Sequence, residues 1–301
     1  MARTDHQTMR RVLRREIAGT VGLLTDEHDF RAMRRYRSFT FDDHTTYLRQ
    51  MEAVLKTRAA QGSHTALALF DPDEYAEFCT ATGIDPEAPA SRGRFTAELA
   101  ALGPTIPYEG EPLTALLPAL VGEAVRQATW EYATTLLTRL GPCATCGEDI
   151  GRAAFIRASA LLARVLETAP PGAQHLVCSV AGPPETLVAV LHADADAHGT
   201  AEPGQAEALE FTSVLALGLA TRSPGGLVIR VSAPDRPDRV HGWRLRAGHL
   251  QPLTASEVFD AYCTDIDTGD LIAPESGVDY RAAPDLADDD ADDQEDRGHH
   301  H

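Results

Sequence analysis

Cys143 and Cys146 lie three residues apart with Gly147 directly behind them, the spacing of a metal knuckle. Two thiolates so placed can wrap one ion, and a glycine lets the backbone turn its N–H groups towards sulfur. One knuckle is half of a tetrahedral site. The nearest residues that could complete it are His175 and Cys178, giving a CxxC…HxxC set for a structural zinc. A regular strand opposes this set, because positions three apart point to opposite faces. The pair also reads as a redox dithiol, or as two linker cysteines without a ligand.

A second group of ligand types is His192, Asp194, Asp196 and His198, spaced by single alanines. In an extended chain all four share one face. Same-face neighbours are about 6.5–7 Å apart, so one divalent ion reaches only two of them. The plainer reading is a solvated strand end and loop. Asp265, Asp267 and Asp270 are spaced somewhat like a calcium loop. However, Gly269, Asp270 and Ser276 stand where an EF-hand needs an acid, a glycine and a glutamate, so an Asp-rich turn is expected.

Arg10, Arg11, Arg14 and Arg15 cluster at helical spacing, as do Arg31, Arg34 and Arg35. They offer either an anion-binding face or a solvated one. Lys56 is the only lysine among 27 basic side chains, and it sits in a helical pattern. A phosphate-binding GxxxxGK[ST] loop and the kinase lysine set are therefore excluded. GxSxG, HExxH and GxGxxG are absent as well, and no catalytic or cofactor-binding residue is assigned from the sequence.

The charge pattern narrows the class of partner. The net charge is −18 over 301 residues. Residues 1–37 carry nine Arg against five acids, and residues 285–297 carry eight acids against one Arg. A body of that sign repels phosphate, so a protein partner is favoured over nucleic acid, with the basic arm a local exception. Five cysteines form no disulfide framework, and no apolar run reaches 18 residues. The expectation is a cytoplasmic protein that does not enter the membrane.

The elements that must position these residues read as α+β. Residues 6–18 form an amphipathic helix, and Thr25 caps a second. FTF at 39–41 reads as a short strand. Asp42 or Asp43 caps a helix to Ala60, TALALF (65–70) is a buried strand, and Asp71-Pro72 opens a helix closed by Gly83. A loop-rich stretch with a short helix at 92–101 leads to a long helix from Leu113, which Pro118 should kink or restart. Another helix covers 151–167. From 171 the texture turns to strands (176–180, 187–191, 227–231, 239–246), with a helix at 205–220 and a last one capped by Thr254.

The predicted organisation is a basic helical arm (1–38), a mainly helical region with one α/β step (39–170), an α+β region (171–283) and an acidic disordered tail (284–301). The leading functional reading is a non-enzymatic binding or regulatory protein stabilised by a structural zinc. The competing readings are an enzyme with a dispersed active site between the two halves, and a nucleic-acid-associated protein using the basic arm.

Overall fold

The structure is a computed structural model of the chain and describes residues 19–182, 185–195, 201–265 and 268–286, with the backbone alone at Ala201 and Glu202. The described residues form a mixed α+β fold with eight helices and ten strands in two mixed sheets. No helix among them is long and apolar enough to cross a membrane. The chain divides into two compact units, Met1–Gln127 and Ala128–His301, so the change of texture near 171 marks the start of a sheet.

The first unit carries β1 (Gly19–Leu23), α1 (Glu27–Met33), α2 (His44–Ala60), β2 (Thr65–Leu69), α3 (Pro72–Thr82), α4 (Pro89–Leu102), β3 (Thr105–Tyr108) and the start of α5 (Leu113–Arg139). β1 and β2 are parallel, and β3 is antiparallel to β2, which makes β1 an edge strand. The helix starts follow local chemistry. Asp43 accepts from the Thr46 N–H at 2.8 Å, and Asp71 accepts from Asp73 and Glu74 while Pro72 occupies the first turn. Asp26 caps α1, one residue beyond the expected Thr25.

Residues 39–41 form a loop instead of the expected strand. Phe39 and Phe41 turn into an aromatic cluster with Phe30 and Tyr47. The alternation that suggested a strand there is a packing pattern without a ladder partner. α5 runs from Leu113 through Pro118 as one helix, without the expected restart near 119.

The second unit carries the rest of α5, α6 (Ile150–Thr168), β4 (Gly172–Ala181), β5 (Thr186–Ala195), β6 (Ala201–Pro203), α7 (Gln205–Thr221), β7 (Gly225–Ser232), β8 (Asp238–Arg246), β9 (His249–Pro252), α8 (Ala255–Tyr262) and β10 (Val278–Tyr280). The sheet order is β10-β8-β7-β4-β5-β6, with β9 also paired to β8. Leu176, Cys178, Leu191, Ile229 and Trp243 face one side and form a core with Leu162 and Val165 of α6 and Phe211 and Leu215 of α7. Each fully buried Leu or Phe of that face contributes about 1.5–3 kcal/mol.

The β4–β5 hairpin is longer than its apolar stretches, pairing from Ala181↔Thr186 to Gly172↔Ala195. Asp194 therefore lies in a strand, although a loop was expected there. Pro284–Leu286 also depart from the expected disordered tail. Leu286 joins the core, the Trp243 indole donates to the Pro284 carbonyl at 2.9 Å, and Arg164 donates to the Leu286 carbonyl at 2.7 Å. The rest of that tail, 287–301, and the predicted helix at 6–18 lie outside the described residues.

Candidate functional site

The first unit holds a pocket of about 390 Å³ against the edge of β1 that no described strand pairs. The Gly19 N–H donates to the His64 carbonyl, and the Phe70 N–H donates to the Leu23 carbonyl, both at 2.9 Å. In a parallel ladder this alternation turns the N–H and C=O groups of Thr20, Gly22 and Leu24 away from β2. Leu24 finds partners there: its N–H donates to the Tyr47 hydroxyl at 3.2 Å, and its carbonyl lies 3.0 Å from His44 Nε2. Thr20 and Gly22 line the pocket instead, beside Phe39, Phe41, Tyr47 and Phe70. Burial pushes the Tyr47 phenol up to about 12, so it stays neutral across the physiological range.

Arg92 of α4 forms part of the same wall. Its guanidinium donates to the Ser38 hydroxyl at 2.7 Å and to the Ser38 carbonyl at 3.3 Å. Among the described residues no carboxylate lies within 4.0 Å of it. A half-buried guanidinium whose described partners are neutral groups keeps a field that favours an anion. Among the described residues the lining side chains include no His, Cys, Asp, Glu or Lys. The pocket's described lining is thus apolar, aromatic and cationic.

Sequence reasoning missed this site because its residues are spread from Thr20 to Thr96 over strand, loop and three helices. The one available signal was the density of aromatics at 30, 39, 41 and 47, and it was absorbed into a strand assignment.

The second unit brings together two residues drawn from different sequence motifs. His175 on β4 stands directly opposite His192 on β5, and Arg230 on β7 continues the row. His175 Nδ1 lies 2.9 Å from His192 Nε2. They line a pocket of about 340 Å³ that also includes Asp194 and Ser232. Burial, aided by His192 and Arg230, lowers the pKa of His175. Arg230 is tied on its far side, donating to Asp238 at 2.7 Å and forking onto Glu275 with two bonds of 2.9 Å.

The CxxC…HxxC set is not assembled. Cys178 is fully buried on the helix-covered face, where burial pushes its thiol up to about 12, whereas His175 points to the other face. The period of two along β4 separates them. Cys143 and Cys146 lie in the α5–α6 connection and keep the knuckle shape. Gly147 takes φ 76°, its N–H donates to the Cys143 carbonyl at 2.8 Å, and the N–H groups of Cys146 and Thr145 lower the Cys143 thiol. Neither His175 nor Cys178 joins the two cysteines in a cluster of ligand atoms.

Among the described residues, the one group of three ligand types within 4.8 Å of one another is Asp26, His28 and Asp29. Helix capping accounts for it, since Asp26 accepts from the Asp29 N–H at 2.9 Å. Asp265 and Asp270 close an Asp turn, with the Thr268 N–H donating to Asp265 at 2.8 Å. Asp267 lies outside the described residues, as do Asp196, His198, Arg10, Arg11, Arg14 and Arg15. In the second arginine cluster, Arg31 meets Glu27 at 3.4 Å and Arg35 meets Asp73 at 3.1 Å, so the protein's own acids answer both.

Residues 8–111 match a family model described as a domain of unknown function (DUF8829). Every lining residue of the first pocket, from Thr20 to Thr96, falls inside that segment. No curated protein and no solved structure matches the chain.

Proposed function

We propose that this chain is a non-enzymatic binding protein whose first unit takes a small amphipathic anion, an aromatic or aliphatic body bearing one carboxylate. The observation that carries this reading is Arg92, a half-buried guanidinium in a pocket wall with no carboxylate partner among the described residues. The pocket volume of about 390 Å³ lies in the range of small-molecule sites, and its lining has the usual composition of many apolar groups and a few placed polar ones. The phenyl rings cover the ligand body, Arg92 pairs with the carboxylate, and the outward backbone groups of Thr20 and Gly22 supply further hydrogen bonds. Binding is favoured over catalysis because the lining, among the described residues, offers no His, Cys, Asp, Glu or Lys to act as a general base or nucleophile near neutral pH.

The test compares 2-naphthoate with its neutral isostere 2-naphthalenemethanol by calorimetry on the full chain. A hydrogen bond to a charged group contributes about 1.5–3 kcal/mol, so Arg92→Gln should weaken naphthoate by tenfold or more. The neutral isostere should bind parent and variant alike. Equal naphthoate affinity for both proteins would remove Arg92 from the reading, and no saturable binding by the parent would remove the pocket.

A further inference from the structure

We propose that His175 and His192 form a two-imidazole site for a transition-metal ion on the open face of the second sheet, with Glu207 orienting His192. The facing nitrogens, His175 Nδ1 and His192 Nε2, are 2.9 Å apart. Imidazole nitrogens bind zinc at about 2.0–2.1 Å, so two on one ion are about 2.9 Å apart at a right angle and about 3.3 Å at the tetrahedral angle. The pair therefore needs a few tenths of an ångström of opening to admit an ion in place of the shared proton. The strands hold it ready, because the register places His175 and His192 directly opposite each other.

The second nitrogen of His192 is also provided for. His192 Nδ1 lies 3.4 Å from Glu207 Oε2, and that carboxylate accepts the His192 backbone N–H at 2.8 Å. A carboxylate behind a metal-binding imidazole fixes its tautomer and raises its basicity, and its loss typically costs 10–100-fold in affinity. Asp194 lies two residues further along the same face and lines the same pocket, which adds negative charge beside the ion. The nearby positive charge of Arg230 is engaged by Asp238 and Glu275. Two nitrogen ligands with solvent in the remaining positions select Cu²⁺, Ni²⁺ or Zn²⁺ over Mg²⁺ and Ca²⁺, which want oxygen cages. This site shares no residue with the anion pocket and does not depend on that reading.

The experiment is a calorimetric titration of the full chain with NiCl₂, ZnCl₂ and MgCl₂. The background carries Cys143→Ser, Cys146→Ser and alanine at His299, His300 and His301, so that neither the knuckle nor the terminal histidines compete. The expected result is one saturable Ni²⁺ or Zn²⁺ site per chain and none for Mg²⁺. His175→Gln and His192→Gln should each abolish it, and Glu207→Gln should weaken it about tenfold. Melting curves without metal should match for all variants, because the two imidazoles project from the exposed side of the sheet. Unchanged nickel and zinc binding in both histidine variants, or no saturable site in the background protein, would overturn the proposal.

Discussion

Gln174 is the residue on which packing and hydrogen bonding disagree most. It is 2% exposed, and neither its amide nitrogen nor its amide oxygen has a hydrogen-bond partner among the described residues. The parity of β4 turns it to the helix-covered face with Leu176 and Cys178, while its neighbour His175 takes the open face. A buried polar group without a partner costs about 1–3 kcal/mol. Gln174→Met keeps the length of the side chain and removes the polar atoms. It should raise stability by about 1 kcal/mol, read as a higher urea midpoint at unchanged slope. A lower midpoint would mean that the amide is satisfied in solution.

At the scale of elements, the β8–β9 hairpin shows how local geometry fixes pairing. Arg246 pairs with His249, leaving Ala247 and Gly248 as a two-residue turn with φ of 51° and 80°. Positive φ at both positions defines a type I′ turn, which favours Asn-Gly. Gly248 is required twice over, since a Cβ there would also stand 2.9 Å from the Leu219 carbonyl oxygen. Ala247 bears the strain of the left-handed region without a compensating side chain. Ala247→Asn should raise the melting temperature, corresponding to about 0.5–1 kcal/mol, and a drop would show that the turn is held differently.

The same local chemistry decides which elements could be read in advance. Asp43, Asp71 with Pro72, and Thr254 announced their helices, because a cap acts within four residues. β1, β3 and β10 went unread. GTVGL contains two glycines, TIPY contains Pro107, and VDY is three residues long, so each owes its strand state to a partner distant in sequence. The His175–His192 pairing was invisible for the same reason. Both residues were picked out, but in separate motifs, and only the β4–β5 register joins them. The anion pocket was less legible still. Arg92 looks like any helix-surface arginine until Ser38 and the aromatic loop are placed beside it.

At the scale of the whole molecule, acidity is built into specific links as well as into the net charge of −18. Arg230 on β7 ties Asp238 at the start of β8 to Glu275 ahead of β10. Hydrogen bonds from Arg230 hold both carboxyls below their ordinary values of 3.8 and 4.5. The folded state therefore keeps these groups ionised at a pH where the unfolded chain has begun to take up protons. This stabilisation is fully present above the ordinary values and is lost as pH falls through the lowered folded ones. Arg230→Met should melt below the parent at neutral pH, and the gap should shrink steadily as pH is lowered below 4.5. A gap independent of pH would assign the effect of Arg230 to packing of its stem.

The central claim is that the first unit binds a small amphipathic anion between the β1 edge, the aromatic loop and Arg92. The most direct measurement is a titration of the ¹⁵N-labelled full chain with 2-naphthoate, followed by backbone amide shifts. The account predicts saturating shifts that share one binding curve at Thr20, Gly22, Ser38, Gly93 and Thr96, and that need at least tenfold more ligand in Arg92→Gln. Shifts absent from these residues, or centred on the second unit, would contradict it.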